Sequence, residues 1–106
     1  WPALYQAQHD VWQVNSKSDD IQNYNIVGPI CETGDFLAKD RQLSADEGDL
    51  LALRSVGAYG FVMSSNYNSR MRGAEILVDK DKFHLIRRRE GLYDLTKLEE
   101  GLHDEI

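Results

Sequence analysis

The chain has 106 residues, of which 42% are hydrophobic and 28% are charged with both signs mixed, a composition typical of one soluble globular domain. The formal net charge of −6 argues against general nucleic-acid binding, which needs a basic surface to replace condensed counterions. No apolar run approaches the roughly 20 residues that cross a bilayer, so we expect no membrane insertion. The chain starts at Trp1 with no leader-like pattern after it, so we expect that an upstream segment is missing and that it is more than a signal peptide.

The cysteine and histidine content bears on disulfides, cellular compartment and metal binding. Cys31 is the single cysteine, so an internal disulfide is impossible, and a lone thiol suits a reducing, cytoplasmic location. The three histidines are far apart in the sequence, and without a second cysteine they predict no metal site.

The first half of the chain predicts strands separated by two loops. Residues 4–14 alternate in places as a half-buried strand does, and residues 15–20 form a polar loop. Residues 21–30 are strand-like up to the Gly28-Pro29 turn, because proline stops ladder pairing. The following segment, residues 31–43, has no clean period and predicts an irregular, functional loop.

The second half contains the clearest local signal. A turn at residues 47–49 leads into a strand at 50–54, residues 57–60 interrupt it, and residues 61–64 are expected to continue extended. Residues 65–73, rich in Asn, Ser and Arg, form a second loop. Alternation over residues 74–79, a turn at 79–81 and a return at 83–87 predict a hairpin. Leucines at near-helical spacing from residue 92 predict a short amphipathic helix, and the whole pattern predicts a small antiparallel barrel or sandwich.

Three clusters could carry chemistry, and each has a plainer interpretation. In residues 28–35, a thiol and acids follow a rigid turn, and they could deliver a proton and hold a cation. Alternatively, Cys31 could be a buried packing residue beside solvated acids, and the residues alone favour this second interpretation. Tyr59, between small residues, could donate to an anion such as a phosphate, or could be a core tyrosine at a bend. Residues 65–70 could bind a ligand, or could hold a tight loop through side-chain-to-backbone bonds. The basic run at 87–89 is interpreted as a solvated strand end rather than a phosphate patch.

A resemblance to a known family adds to these observations. VGPICETGDFL at residues 27–37 with KDR at 39–41 resembles the second signature of the diaminopimelate decarboxylases. Matches follow in order along nearly the whole chain: PALY at 2–5, GDLL at 48–51, GAYG at 57–60, MSSNYNSR at 63–70 and HLIRRRE at 84–90.

The resemblance implies a two-domain enzyme, similar in architecture to alanine racemase and ornithine decarboxylase. Residues 1–106 would be its C-terminal domain, a mainly β, small antiparallel Greek-key-like β-barrel with a short C-terminal helix, and the N-terminal (β/α) barrel would be absent from this chain. Pyridoxal 5'-phosphate would be bound mainly by the absent domain, where its lysine lies, so the fragment alone is expected to be inactive. The full-length enzyme would be a homodimer with active sites at the subunit interface, acting on a small-molecule substrate.

The resemblance also implies roles for individual residues. Cys31 matches the cysteine that protonates the substrate carbon after carbon dioxide leaves, and Glu32 matches the acid that receives the distal ammonium. Tyr5 matches a contact to substrate carboxylate, and Tyr59 a tyrosine near cofactor and substrate. Trp1 stands where the family usually has an arginine that pairs with substrate carboxylate; two further departures, with no assigned role, are Ala38 for glycine and Met71 for proline.

The implied reaction is the conversion of meso-2,6-diaminopimelate to L-lysine. A related decarboxylase of ornithine, arginine or carboxynorspermidine is the alternative within the superfamily, and Glu32 rather than aspartate after the cysteine favours diaminopimelate. A catalytically silent, partner-binding relative is the alternative from another class, and Trp1 is the feature that supports it.

Overall fold

The computed structural model describes residues 8–15 and 19–102, and the chain divides into two compact units, residues 1–63 and residues 64–106. The elements of the first unit, in chain order, are β1 (Val11–Gln13), β2 (Gln22–Val27), β3 (Phe36–Leu43), β4 (Leu51–Leu53) and the short helix α1 (Tyr59–Val62). Those of the second unit are a 3₁₀ turn (Tyr67–Ser69), β5 (Glu75–Asp79), β6 (Lys82–Arg87) and the short helix α2 (Leu92–Thr96). Over these described ranges, no helix is long and apolar enough to cross a bilayer.

The first unit contains two antiparallel strand pairs: an inner hairpin, and an outer pair formed by the strands that flank this hairpin in the sequence. β2 and β3 form the antiparallel hairpin, and β1 pairs antiparallel with β4, placing Val11 opposite Leu53. The side chain of Gln13 links the two pairs, because its Oε1 accepts a 3.0 Å hydrogen bond from the backbone N–H of Ser44, directly after β3.

The inner hairpin contains a β-bulge on β3. Between the pairs Ile26–Ala38 and Tyr24–Arg41, β3 advances three residues while β2 advances two. The extra residue accompanies a left-handed backbone at Asp40, with φ of 53°. A bulge of this kind leaves an unpaired residue and bends the strand.

The bulge decides which side chains of β3 face inward. Residues five apart in a regular strand point to opposite faces, yet Ala38 and Leu43 are both buried, at 4% and 6% exposure. One inserted residue restores them to the same side. The backbone N–H of Asp40 at the bulge donates to Oδ1 of Asn25 at 3.1 Å, so this polar group is not left unsatisfied.

In the second unit, β5 and β6 form a hairpin with a two-residue loop. Asp79 pairs with Lys82, and Lys80 in the loop has a φ of 56°, the left-handed region that hairpin turns require. Apolar side chains on both faces of the hairpin are between 48% and 77% exposed: Ile76, Leu77, Val78, Phe83, Leu85 and Ile86. Contiguous exposed apolar surface is common where proteins contact other protein surface.

The predicted fold class is confirmed as mainly β with a short C-terminal helix. Among the described residues, however, the strands form three separate two-stranded sheets, so they are not closed into a barrel. The hairpin at β5–β6 and the loop at 65–73 lie where the sequence predicts them. Residues 4–7, predicted to begin the first strand, lie outside the described residues.

Several predicted boundaries were wrong. The irregular segment predicted for residues 31–43 ends at Asp35, and β3 occupies the rest, because the bulge conceals the strand's alternation. Residues 61–64 are not extended, since α1 already runs through Val62. Residues 8–10, predicted as part of the first strand, are not in a strand, since β1 runs from Val11 to Gln13. Helix α2 ends at Thr96, before Leu98, so the amphipathic pattern continues beyond the helix.

Candidate functional site

The cysteine loop, residues 28–35, joins the two strands of the β2–β3 hairpin. Its base is closed by a 3.1 Å hydrogen bond from the backbone N–H of Gly28 to the carbonyl of Asp35. Inside the loop, the N–H of Glu32 donates to the carbonyl of Ile30 at 2.9 Å, and the N–H of Asp35 donates to the carbonyl of Glu32 at 3.1 Å. The segment is therefore a hydrogen-bonded turn at a hairpin tip.

One side chain contributes to the inside of this loop. The Oδ2 atom of Asp35 accepts a 2.6 Å hydrogen bond from the backbone N–H of Ile30. The same carboxylate lies against Gly28, because a Cβ built there would come within 2.7 Å of Asp35 Cγ and closer to its oxygens. Asp35 is one of the acids of the cluster predicted at residues 28–35, but its hydrogen bond inside the loop was not predicted from the sequence.

Cys31 and Glu32 occupy consecutive positions at the exposed tip. The thiol of Cys31 is exposed, and Glu32 is exposed as well. This outcome removes the interpretation of Cys31 as a buried packing residue within this unit. Across residues 8–15 and 19–102, no group of three or more His, Cys, Asp or Glu side chains could hold a metal ion.

Tyr59 is the first residue of α1 and is 65% exposed. Gly57 before it has a φ of 56°, a conformation that glycine adopts without strain. Gly60 after it has no room for a side chain, because a Cβ would lie 2.7 Å from Cγ2 of Val56. The two glycines thus allow the tight turn that begins the helix, and the phenol lies at the surface. Tyr59 is therefore not a core tyrosine of this unit.

Two residues of interest cannot be placed. Tyr5, predicted to contact substrate carboxylate, and Trp1, at the position of the family arginine, both lie outside the described residues. Of the predicted site residues that the structure describes, Cys31 and Glu32 are brought together on one loop, whereas Tyr59 lies on a different element of the same unit.

The polar loop of the second unit is held by side-chain hydrogen bonds, one within the loop, as the plainer interpretation predicted, and two to Glu90 outside it. Asn66 Nδ2 donates to the carbonyl of Arg70 at 2.9 Å and to Oε2 of Glu90 at 2.6 Å. The same Glu90 oxygen accepts the backbone N–H of Arg72 at 2.8 Å. These bonds, that from Arg72 first, lower the pKa of Glu90 below its ordinary value, because they favour the ionised carboxylate.

The basic run at 87–89 includes two ion pairs and is a strand end, as predicted. Arg87 Nε lies 2.6 Å from Oε2 of Glu75 across the hairpin. Arg88 binds both carboxylate oxygens of Asp94 at 2.7 Å, and the backbone N–H of Gly91 donates to Asp94 Oδ2 at 2.7 Å. The Arg88 hydrogen bonds, followed by that from Gly91, hold the pKa of Asp94 well below its usual range. The pairing fixes the start of α2.

Comparison with known proteins is consistent across sequence and structure. The chain is 63% identical over 94 residues to a diaminopimelate decarboxylase of Pseudomonas aeruginosa. This match covers 89% of this chain and 23% of that protein. It is 56% identical over 101 residues to the corresponding protein of Vibrio cholerae, covering 95% and 24%. The chain therefore spans about a quarter of the length of these relatives.

Solved structures give the same result. The diaminopimelate decarboxylase from Helicobacter pylori complexed with L-lysine is similar with a TM-score of 0.83 and 43% identity, over 92% of this chain and 24% of that one. The enzyme from M. jannaschii in co-complex with L-lysine is similar with a TM-score of 0.86 and 37% identity, over 96% and 24%. The family described as "Pyridoxal-dependent decarboxylase, C-terminal sheet domain" matches residues 1–57, more than half of the 106-residue chain. The chain therefore belongs to the pyridoxal-dependent decarboxylase family, as its C-terminal sheet domain.

Proposed function

We propose that residues 1–106 are the C-terminal domain of a decarboxylase that converts meso-2,6-diaminopimelate to L-lysine. The names of the relatives support the substrate, and two solved relatives hold L-lysine, the expected product. The observation that carries the proposal is the exposure of Cys31 and Glu32 on consecutive residues of a hydrogen-bonded hairpin tip. Such a tip can enter a site built largely from other residues.

Cys31 is proposed as the proton donor. When carbon dioxide leaves the substrate, the carbon that carried it must receive a proton to form the amino acid product. The Sγ atom of Cys31 gives its proton to that carbon, becomes a thiolate and is reprotonated from solvent. An exposed thiol on a loop held by backbone hydrogen bonds can be brought to a substrate without disturbing a core.

Glu32 is proposed as the receptor for the distal ammonium of the substrate. A carboxylate accepts charge-assisted hydrogen bonds from an ammonium group, and the exposed side chain of Glu32 is available for one. Tyr5, by its match to the family motif, is proposed to contact substrate carboxylate. Glu32 would hold the distal end of the substrate while Cys31 protonates the reacting carbon at the other end.

The fit of this chain to pyridoxal phosphate is partial. Tyr59 presents an exposed phenol beside two glycines, and a phenol can donate to a phosphate oxygen, so Tyr59 fits a contact with the cofactor and with substrate near it. Lys39, by contrast, lies over the Phe36 ring at 4.0 Å, as a surface cation does. The chemistry that pyridoxal phosphate supplies when bound is an electron sink for the reacting amino acid.

The remaining parts of the site are proposed to come from outside residues 1–106. An N-terminal (β/α) barrel would hold the cofactor and its lysine, and a second copy of the full-length enzyme would complete the site as a homodimer. Two observations support this: the chain spans about a quarter of its relatives, and apolar side chains on both faces of the β5–β6 hairpin are exposed. A cytoplasmic location is supported by the single exposed thiol, which persists in a reducing compartment.

The decisive experiment is a decarboxylation assay of the full-length protein with meso-2,6-diaminopimelate and, separately, with ornithine. We expect one carbon dioxide and one L-lysine per diaminopimelate, and no turnover of ornithine. The 106-residue chain alone should release none. Preference for ornithine would assign the protein to a related decarboxylase. Turnover of neither substrate would refute the proposed function and leave a decarboxylase of arginine or carboxynorspermidine, or a silent relative.

A further inference from the structure

The side chains of Cys31 and Glu32 depend on the loop backbone for their placement. Both are exposed at the tip, and within the described part of the chain neither side chain takes part in a hydrogen bond of the loop. Their directions are therefore set by the backbone conformation of residues 28–35. Whatever fixes that backbone controls where the proposed proton donor is presented.

Asp35 makes the one side-chain hydrogen bond seen inside the described loop. Its Oδ2 accepts the N–H of Ile30, the residue immediately before Cys31, at 2.6 Å. Bonds from an N–H to an ionised carboxylate are about twice as strong as neutral ones. Asp35 is partly buried, so solvent competes less for this carboxylate than for an exposed one.

Gly28 provides the space that this contact needs. A Cβ at position 28 would lie within 2.7 Å of Asp35 Cγ, closer than real side chains approach. Pro29 has a fixed φ and also restricts the residue before it. The absence of a side chain at Gly28, the ring of Pro29 and the carboxylate of Asp35 therefore restrict the same short stretch of backbone.

We propose that Asp35 is a positioning residue, whose carboxylate holds the loop backbone in the conformation that aims the Cys31 thiol at the substrate. The inference rests on the proposed function, because it assigns a role in that reaction. In this role Asp35 acts on the loop backbone, through the N–H of Ile30, so its loss acts through Cys31. A displacement of about 1 Å of a catalytic group can lower a rate by about 100-fold.

The test compares Asp35→Ala with a matched control in the full-length enzyme. Asp49 Oδ2 accepts the backbone N–H of Asp46 at 2.8 Å, which is the same kind of bond in a turn outside the cysteine loop. We expect Asp35→Ala to lower kcat by about 10-fold to 100-fold, Asp35→Asn, which keeps a neutral acceptor, to lower it less, and Asp49→Ala to leave it unchanged.

A second arm separates positioning from general loss of structure. If Asp35 acts through Cys31, then Asp35→Ala lowers kcat in the parent enzyme but has little further effect in a Cys31→Ala background, because residues coupled through a shared backbone shift are non-additive. Equal effects of Asp35→Ala in both backgrounds would overturn the inference, as would a normal kcat for Asp35→Ala.

A third arm tests the contact without measuring turnover. Gly28→Ala should lower the melting temperature of the parent enzyme, because the new Cβ overlaps the Asp35 carboxylate. The same substitution should be better tolerated in the Asp35→Ala background. Lack of wild-type decarboxylation would refute the proposed function and this role with it, whereas an active wild type with a fully active Asp35→Ala would refute this role alone.

Discussion

Replacing Cys31 by alanine separates a catalytic role from a packing role. The thiol lies exposed at the hairpin tip, so its removal leaves no cavity in the described part of the chain. Surface substitutions of this kind change the free energy of unfolding by no more than about 0.5 kcal/mol. We therefore expect the full-length Cys31→Ala protein to fold and to melt at nearly the parent temperature.

The effect on catalysis should be much larger. Loss of a positioned general acid lowers kcat by about 10²-fold to 10⁴-fold, which corresponds to about 2.7–5.4 kcal/mol of activation free energy at about 1.36 kcal/mol per tenfold. Substrate binding should persist, because the proposed ammonium receptor, Glu32, is retained. The expected pattern is a large fall in kcat with little change in KM, which indicates an interaction made in the transition state.

The assay is carbon dioxide release from meso-2,6-diaminopimelate, measured over a range of substrate concentrations, with a melting curve for each variant. Cys31→Ser is the matched control, since it restores a side chain of similar size with a far weaker acid. It should remain impaired. A kcat close to that of the parent enzyme for Cys31→Ala would refute the reasoning, and so would a large loss of stability, because that would return Cys31 to a packing role.

Three further predictions concern other residues. Glu32→Gln should lower kcat/KM for diaminopimelate by about 10-fold to 100-fold, because a bond to a charged group becomes a neutral one, and an unchanged value would remove Glu32 from the site. Lys80→Asn should stabilise the β5–β6 hairpin by about 1 kcal/mol, measured by hydrogen exchange, because asparagine tolerates the left-handed backbone at this position; faster exchange would contradict this. The pKa of Asp94 is lowered mainly by Arg88 and then by Gly91. The ionised carboxylate therefore stabilises the second unit at pH values above the ordinary aspartate pKa of about 3.9. This stability is lost as the pH falls toward the lower pKa of Asp94 in the folded state. The protection of residues 64–102 against hydrogen exchange, corrected for the intrinsic pH dependence of amide exchange, should therefore decrease at acidic pH in the parent and decrease less in Asp94→Asn. An equal decrease in both would refute the role of this pair.

Features set by neighbouring residues were predictable from the sequence. The β5–β6 hairpin follows from alternation on both sides of a short polar turn, and the structure places it at Glu75–Asp79 and Lys82–Arg87. The polar loop at 65–73 was also predicted, together with the internal bonding that Asn66 provides. In each case the interacting groups are close along the chain, so a local pattern is sufficient.

Two errors have the same physical origin. The pattern of β3 was missed because the bulge near Asp40 shifts its alternation by one residue. The segment after Tyr59 was expected to be extended because its apolar residues resemble a strand. The left-handed conformation of Gly57 and the close approach of Gly60 to Val56 turn it into a helix instead. Backbone conformation at single residues overrode side-chain pattern at both places.

By itself, the sequence determined that Cys31 and Glu32 lie in a loop after a rigid turn, because Gly28-Pro29 limits the local backbone whatever surrounds it. It also determined the family, through motifs that run along nearly the whole chain. Only the tertiary structure decided that this loop caps a hairpin and that Asp35 reaches back to the N–H of Ile30. It alone paired β1 with β4 across the inner hairpin. Such contacts depend on loop closure and on space between residues that are separated along the chain, and a local sequence pattern carries neither.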